Sequence, residues 1–373
     1  MKNRYSHKIK FGSGETCEVD LSKPVARFSK NPIISAADIN TVWKDPAHKV
    51  VTVHNAGAIQ VGQGTILLFR SHLRCGISVL GLAKSKNGID SWTLYDKPVL
   101  RPATVNDEFS DLSNRNQIIT NESGGVEDPR IVRIDDEYAI TYSAYHSEFK
   151  DRVRVHLATT KDFITYRRFG PMLDCDMRNV VIFPETINKM YMALFRPNDQ
   201  SADVTGGRYT EILQGISENW KSSNWKLENE PLMKTGHGPS AFSDKIGPGA
   251  PPLKTRKGWI HIFHGVRKTM DGNPYVLGVA LHDLHNPTRI KMSSIPILFP
   301  SSADCRVKDD AYIHVPNVVF TCGAIRRDDG AIFIYYGGND TVLNVGITHE
   351  NILFDLCENF GQNPLTGKLY YEI

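Results

Sequence analysis

Two carboxylates and an arginine fall close together in Gly124–Arg130, GGVEDPR, immediately before the apolar run Ile131–Ile134. Asp-Pro is a turn signal in its own right, so one reading leaves Glu127 and Asp128 solvated at the entry to a strand. The other reading is chemical. A carboxyl held partly desolvated at the mouth of a channel has a raised pKa and serves as a general acid. A second group is cationic: Arg178-Asn179 stand two residues before the run Val181–Phe183, and Arg196-Pro197 directly follow Tyr191–Phe195. In the next stretch Lys245 precedes the glycine-rich Ile246–Pro252, and His264 directly follows Trp259–Phe263. A single arginine beside a strand end is commonly a surface charge, whereas four donors at matching repeat positions would converge on one anion. Arginine forks match phosphate geometry, lysine adds a point charge, and glycines let backbone approach.

Such convergence needs elements that bring distant residues together. The chain has few long helical periodicities and many short β-branched or aromatic runs broken by Gly, Pro, Asn and Asp, which predicts an all-β fold. Thr65–Phe69, Tyr138–Tyr142, Tyr191–Phe195, Trp259–Phe263 and Ala331–Tyr336 each follow a charged or glycine-bearing turn, so each reads as the second half of a hairpin. Their recurrence suits four-stranded blades. Leu80–Trp92, Val155–Tyr166 and Leu277–Ile290 read as the third and fourth strands. The expectation is a single five-bladed β-propeller domain over 1–373, with short N- and C-terminal extensions and repeats at roughly 50–120, 121–177, 178–240, 241–305 and 306–350. Residues at equivalent strand ends would then face one channel mouth. Met1–Ile34 and Asn351–Ile373 would close the ring or meet a neighbouring subunit, which leaves room for a homo-oligomer.

Bulk properties remove several function classes. A net charge of +3 and a pI near 8.4 are far from the clustered basic balance of a nucleic-acid binder and suit a small anionic ligand. Met1–Phe11 carries three lysines and an arginine with no apolar run behind them, and no stretch approaches a membrane span, so a soluble, cytoplasmic protein is expected. Six scattered cysteines without a CxxC pair predict reduced thiols and no metal site. Nucleotide loops, a GxSxG elbow and HExxH spacing are absent.

The segment Gly124–Tyr145, GGVEDPRIVRIDDEYAITYSAY, resembles the signature of glycoside hydrolase family 130, the mannoside phosphorylases. NPIIS (Asn31–Ser35), HNAGAI (His54–Ile59), LLFRSHLRCGISVLGLAKSKNGI (Leu67–Ile89), RNVVIFPE (Arg178–Glu185), KIGPGAPPLKTRKGWIHIFHGV (Lys245–Val266), VPNVVFTCGA (Val315–Ala324) and YYGGNDT (Tyr335–Thr341) are similar to further family blocks, in family order. The resemblance implies a five-bladed propeller and an inverting phosphorolysis, reversible, that turns a β-mannoside and phosphate into α-mannose 1-phosphate and a shortened acceptor. It also implies that Asp128 is the general acid, its proton passing through the mannose 3-hydroxyl. Arg178, Asn179, Arg196, Lys245, His264 and Tyr275 fall at phosphate-holding positions; Asn55, Arg70 and Asp340 fall around the transferred mannose. Inorganic phosphate would be a co-substrate, with no cofactor. Two features depart from the family: His72 and Leu73 replace an acidic pair after Arg70, and Gly236–Asp244 lacks a tryptophan-rich approach to Lys245.

An inverting hydrolase needs a second carboxylate about 6.5–9.5 Å from the acid to activate water. A phosphorylase instead needs a fixed cationic pocket that aims an already anionic nucleophile. The four basic groups favour a glycosyltransferase-type phosphorylase acting on β-1,2- or β-1,4-mannooligosaccharides, with a lean to β-1,2. A β-mannosidase, a β-mannosyltransferase and a non-enzymatic mannoside-binding propeller are the rival readings.

Overall fold

The computed structural model describes residues 6–372 apart from 13, 150–151, 199–209, 237–239, 271 and 309–310. Part of the stretch Gly236–Asp244 therefore lies outside the described residues. The chain is all-β, with strands running from His7 to Gln362 and only short helices between them. Five consecutive antiparallel meanders make up the body, each opening with a strand that pairs with one further along the chain.

The opening strands are Val50–Val61, Gly125–Ile134, Met177–Ile182, Lys245–Pro248 and Val319–Arg326. Their partners are Gly64–Leu73, Glu137–Tyr145, Tyr191–Pro197, Trp259–Val266 and Ala331–Gly338. Each predicted hairpin run lies inside one of these partners, because period-2 apolar patterning and turn residues are strong local signals. Third strands follow at Ser78–Ser85, Val153–Thr160, Leu213–Ser217, Tyr275–His282 and Val342–His349. The fourth strands sit later than expected. Thr93–Leu94 and Arg167–Pro171 begin just past the predicted runs, and Ile290–Ser293 begins on the last residue of its run.

The first four opening strands neighbour one another in chain order, and Val319–Arg326 lies against both Trp259–Val266 and Val50–Val61. The segments outside the repeats supply missing edges. Ala26–Arg27 pairs with Val342–His349, and Gly361–Gln362, which follows the helix Glu350–Asn359, pairs with Ile290–Ser293. Arg27 fixes the first of these seams through Asp304, with Nε–Oδ1 at 2.7 Å and Nη2–Oδ2 at 2.9 Å. Covering the last edges this way also removes pairing sites for other chains.

Between the meanders, apolar side chains form the core. Phe69 and Phe263 lie fully buried against Gly81 and Gly278, where an added Cβ would come within 2.2 and 2.4 Å of the ring. Only a residue without a side chain lets the aromatic ring lie flat across the neighbouring strand. Cys322 and Cys357 are buried thiols.

Candidate active site

A single irregularity recurs in three opening strands and builds the site. Between the register pairs His54↔Arg70 and Gly57↔Leu68, two residues, Asn55 and Ala56, face one, Phe69. Asp128 and Pro129 face Tyr142 in the same way, and Asn179 and Val180 face Phe195. The leading residue of each bulge is left-handed: Asn55 at φ 49°, Asp128 at φ 51° and Asn179 at φ 55°. Asn and Asp tolerate this region better than other side chains, and a bulge re-aims the residue that it carries. Asp128 and Arg178-Asn179 are thus inside strands, not in front of them, and Asp128-Pro129 makes no entry turn. The Asp-Pro signal reflects the bulge, which admits proline because the ladder is already interrupted there.

All ten residues expected at the site line one cavity of about 710 Å³: Asn55, Arg70, Asp128, Arg178, Asn179, Arg196, Lys245, His264, Tyr275 and Asp340. Tyr145, Asp176, Asn198, Thr210, Asp244 and Phe320 complete much of the wall. These were missed, although Tyr145 is the last residue of its strand and Arg196 and His264 lie within two residues of the ends of theirs, so strand-end equivalence was the available signal.

At one end, carboxylates dominate. Asn55 Nδ2 donates to Asp128 Oδ1 at 2.9 Å, and Arg70 Nη1 lies 3.4 Å from the same oxygen. Arg70 Nη2 donates to Glu127 Oε1 at 2.7 Å, and Ser78 Oγ donates to that oxygen at 2.8 Å. Glu127 is therefore buried and engaged, not solvated as in the first reading of the motif. Burial pushes the Glu127 carboxyl up, with Asp128 adding to the rise while Arg70 opposes it. Asp340, in the turn after Ala331–Gly338, is pushed up to about 7, first by burial and then by Asp128 and Glu127, against the pull of Arg70. Its Oδ1 is buried without a hydrogen-bond partner.

Arg130 links this end to the rest. Its guanidinium is almost wholly buried; Nη1 donates to the Asp128 carbonyl at 2.8 Å, Nη2 to Asn179 Oδ1 at 3.0 Å, and Nε to the Gly249 carbonyl at 2.9 Å. One side chain thereby ties three opening segments and fixes two of the left-handed residues.

The other end is cationic. Arg178 and Arg196 stand directly opposite each other across a strand pair, an arrangement that is unfavourable for like charges. Lys245 Nζ lies 5.0 Å from the Tyr275 ring centroid, and Arg178 Cζ lies 5.3 Å from that of Tyr145. His264 stacks beside Tyr275 with centroids 6.1 Å apart. Gly247 permits the close approach: a Cβ there would meet His264 at 2.5 Å and Arg196 at 2.8 Å. Burial, followed by Arg178, pushes the Arg196 guanidinium down to about 10. Burial and then Arg196 hold His264 well below its usual value, so it is a neutral donor at pH 7. The Nε atoms of Arg178 and Arg196 and Nδ1 of His264 are buried without hydrogen-bond partners. Concentrated positive charge with orphaned donors is a site that an anion completes. Among the described residues no group of three or more His, Cys, Asp or Glu side chains could hold a metal ion.

Comparison with known proteins is consistent along the chain. Residues 24–359 match a family model for glycoside hydrolase family 130, described as beta-1,4-mannooligosaccharide phosphorylase. A 1,2-beta-oligomannan phosphorylase of Thermoanaerobacter sp. (strain X514) is 36% identical over 330 residues, covering 86% of this chain and 96% of that protein. A 4-O-beta-D-mannosyl-D-glucose phosphorylase of Bacteroides fragilis is 28% identical over 94% of this chain and 87% of its own length. The beta-1,2-mannobiose phosphorylase of Listeria innocua, solved with beta-1,2-mannobiose, superposes with a TM-score of 0.71 at 25% identity, over 89% of this chain and 99% of that one. With a family model matched along nearly its whole length and a relative of this identity, the chain belongs to glycoside hydrolase family 130.

Proposed function

We propose that this chain phosphorolyses β-mannosides with inversion, on a five-bladed propeller whose channel mouth is the cavity described above. Arg178, Asn179, Arg196, Lys245, His264 and Tyr275 hold inorganic phosphate, and Asn55, Arg70 and Asp340 hold the mannosyl unit. A phosphate oxygen attacks the anomeric carbon while the bond from that carbon to the glycosidic oxygen breaks. Asp128 supplies the proton that the leaving oxygen takes, relayed by the mannose 3-hydroxyl. The products are α-mannose 1-phosphate and an acceptor one sugar shorter, so the reaction is a glycosyl transfer to phosphate and runs in both directions. No resident cofactor enters this chemistry.

One observation carries the reading: a buried Arg196 and a half-buried Arg178, opposed across a strand pair and each with an orphaned Nε donor, share a cavity with Asp128. A dianion there removes the repulsion and satisfies the donors, and it is already nucleophilic, so no second carboxylate is required. The succession of neighbouring opening strands, returning from Val319–Arg326 to Val50–Val61, supports the propeller as one domain. β-1,2-linked oligomannosides are the favoured substrates, supported by the named activity of the Thermoanaerobacter relative. A charged sugar phosphate is retained within a cell, which supports a cytoplasmic site of action.

The test is product analysis. With β-1,2-mannobiose and phosphate, mannose 1-phosphate is expected as the α anomer, and without phosphate no turnover is expected. Free mannose as the only product, at a rate indifferent to phosphate, would overturn the proposal in favour of a hydrolase.

A further inference from the structure

Arg70 and His72 lie two residues apart on the strand Gly64–Leu73 and share a face. His72 Nδ1 sits 3.1 Å from Ser78 Oγ. That hydroxyl has one proton, which goes to Glu127 Oε1 at 2.8 Å, and its lone pairs face Arg70 Nε at 3.3 Å and the imidazole. His72 must therefore donate from Nδ1, which leaves the lone pair on Nε2. Burial, then Arg70 and His314, push the imidazole down to about 4, so the ring stays neutral at working pH.

His314 stacks on His72 at 5.6 Å and on His54 at 6.4 Å. It is anchored beside Asp340, because its backbone N–H donates to Thr341 Oγ1 at 3.0 Å. Tyr312 Oη lies 2.8 Å from His314 Nδ1, and the tyrosine is 53% exposed. Arg70 and Asp340 line the carboxylate end of the cavity, and next to them, outside the lining itself, His72 and His314 add a neutral acceptor nitrogen and flat ring surface. Phosphate enters from the opposite, cationic end. The sugar whose oxygen is protonated must leave on the Asp128 side, toward this rim.

We propose that His72, with His314 and Tyr312 beside it, recognises the departing neutral pyranose, Nε2 accepting a hydroxyl hydrogen and the Tyr312 ring offering an apolar face. The assignment rests on the phosphorolysis reading. It is tested in the synthetic direction, with α-mannose 1-phosphate as donor and mannose, glucose or β-1,2-mannobiose as acceptor. His72→Asn keeps a donor toward Ser78 and removes the outward nitrogen; His72→Ala removes both; Tyr312→Ala alters an exposed ring and leaves the core intact.

Each variant is expected to raise the acceptor KM, about tenfold for either His72 variant, as for the loss of one good hydrogen bond. The KM for mannose 1-phosphate should stay within about twofold. If His72→Asn restores the wild-type acceptor KM, His72 only props Ser78 and the proposal falls; it falls equally if both KM values rise together, or if Tyr312→Ala leaves the acceptor KM unchanged. A wild-type protein that forms no glycoside from mannose 1-phosphate would instead overturn the phosphorolysis reading, and this assignment with it.

Discussion

Asp128 has one carboxyl oxygen engaged by Asn55 and Arg70, from two neighbouring strands, and its backbone carbonyl is fixed by Arg130 of its own strand. Asp128→Asn retains an oxygen for those donors and removes only the transferable proton. Turnover should fall by about 10²–10⁴-fold, the usual contribution of a general acid, with the melting temperature close to wild type; full activity in the variant would refute the role. Asp340 gives a pH-dependent signature. Its carboxyl titrates near 7 in the folded chain, against an ordinary value of 3.8. Between those values the folded state binds the extra proton, so stability declines as pH rises from about 4 to about 7, and the full cost of a buried charge remains above that. Asp340→Asn removes the charge. Its melting temperature should exceed that of wild type by more at pH 8 than at pH 5, as measured by thermal denaturation; an equal offset at both would show that Asp340 does not titrate as described.

At the scale of elements, three bulges decide where the chemistry goes. Asn179 at φ 55° also accepts from Arg130, so it carries both a backbone and a side-chain constraint. Asn179→Ala loses the bond and leaves a Cβ in the left-handed region, at a cost of about 1–3 kcal/mol, while Asn179→Gly loses the bond alone. Denaturant titrations should rank wild type above glycine and glycine above alanine, and alanine matching glycine would argue against strain at this position. The hairpins were legible because alternation and turn residues act over a few positions. The bulges were not: an inserted residue is invisible to a period-2 pattern, and Arg178-Asn179 and Asp128 were consequently set before their strands. In hindsight the aligned triplets His54-Asn55-Ala56, Glu127-Asp128-Pro129 and Arg178-Asn179-Val180 show the repeat, with an Asn or Asp in the middle of each. Fourth strands were misplaced for another reason. Pieces as short as Thr93–Leu94 have no periodicity to read.

Across the whole molecule, the two ends of one cavity carry opposite charge, and residues separated by nearly three hundred positions, from Asn55 to Asp340, share its wall. The sequence could name candidates at strand ends, but which faces met across meanders depended on long-range pairing that only the assembled sheets display. Edge completion by Ala26–Arg27 and Gly361–Gln362 is likewise a long-range event: the flanking segments were expected either to close the ring or to meet a neighbouring subunit, and no local pattern identifies the strands that they pair with. On the proposed reading, the carboxylate end supplies the proton donor and the cationic end the anion cradle, with the sugar between them. A crystal structure of Asp128→Asn soaked with β-1,2-mannobiose and phosphate tests it most directly. Phosphate should sit within hydrogen-bond reach of Arg178, Arg196 and Lys245, on the side of the mannose ring away from residue 128. Phosphate bound elsewhere, or a mannoside seated with that cationic end empty at saturating phosphate, would contradict the mechanism.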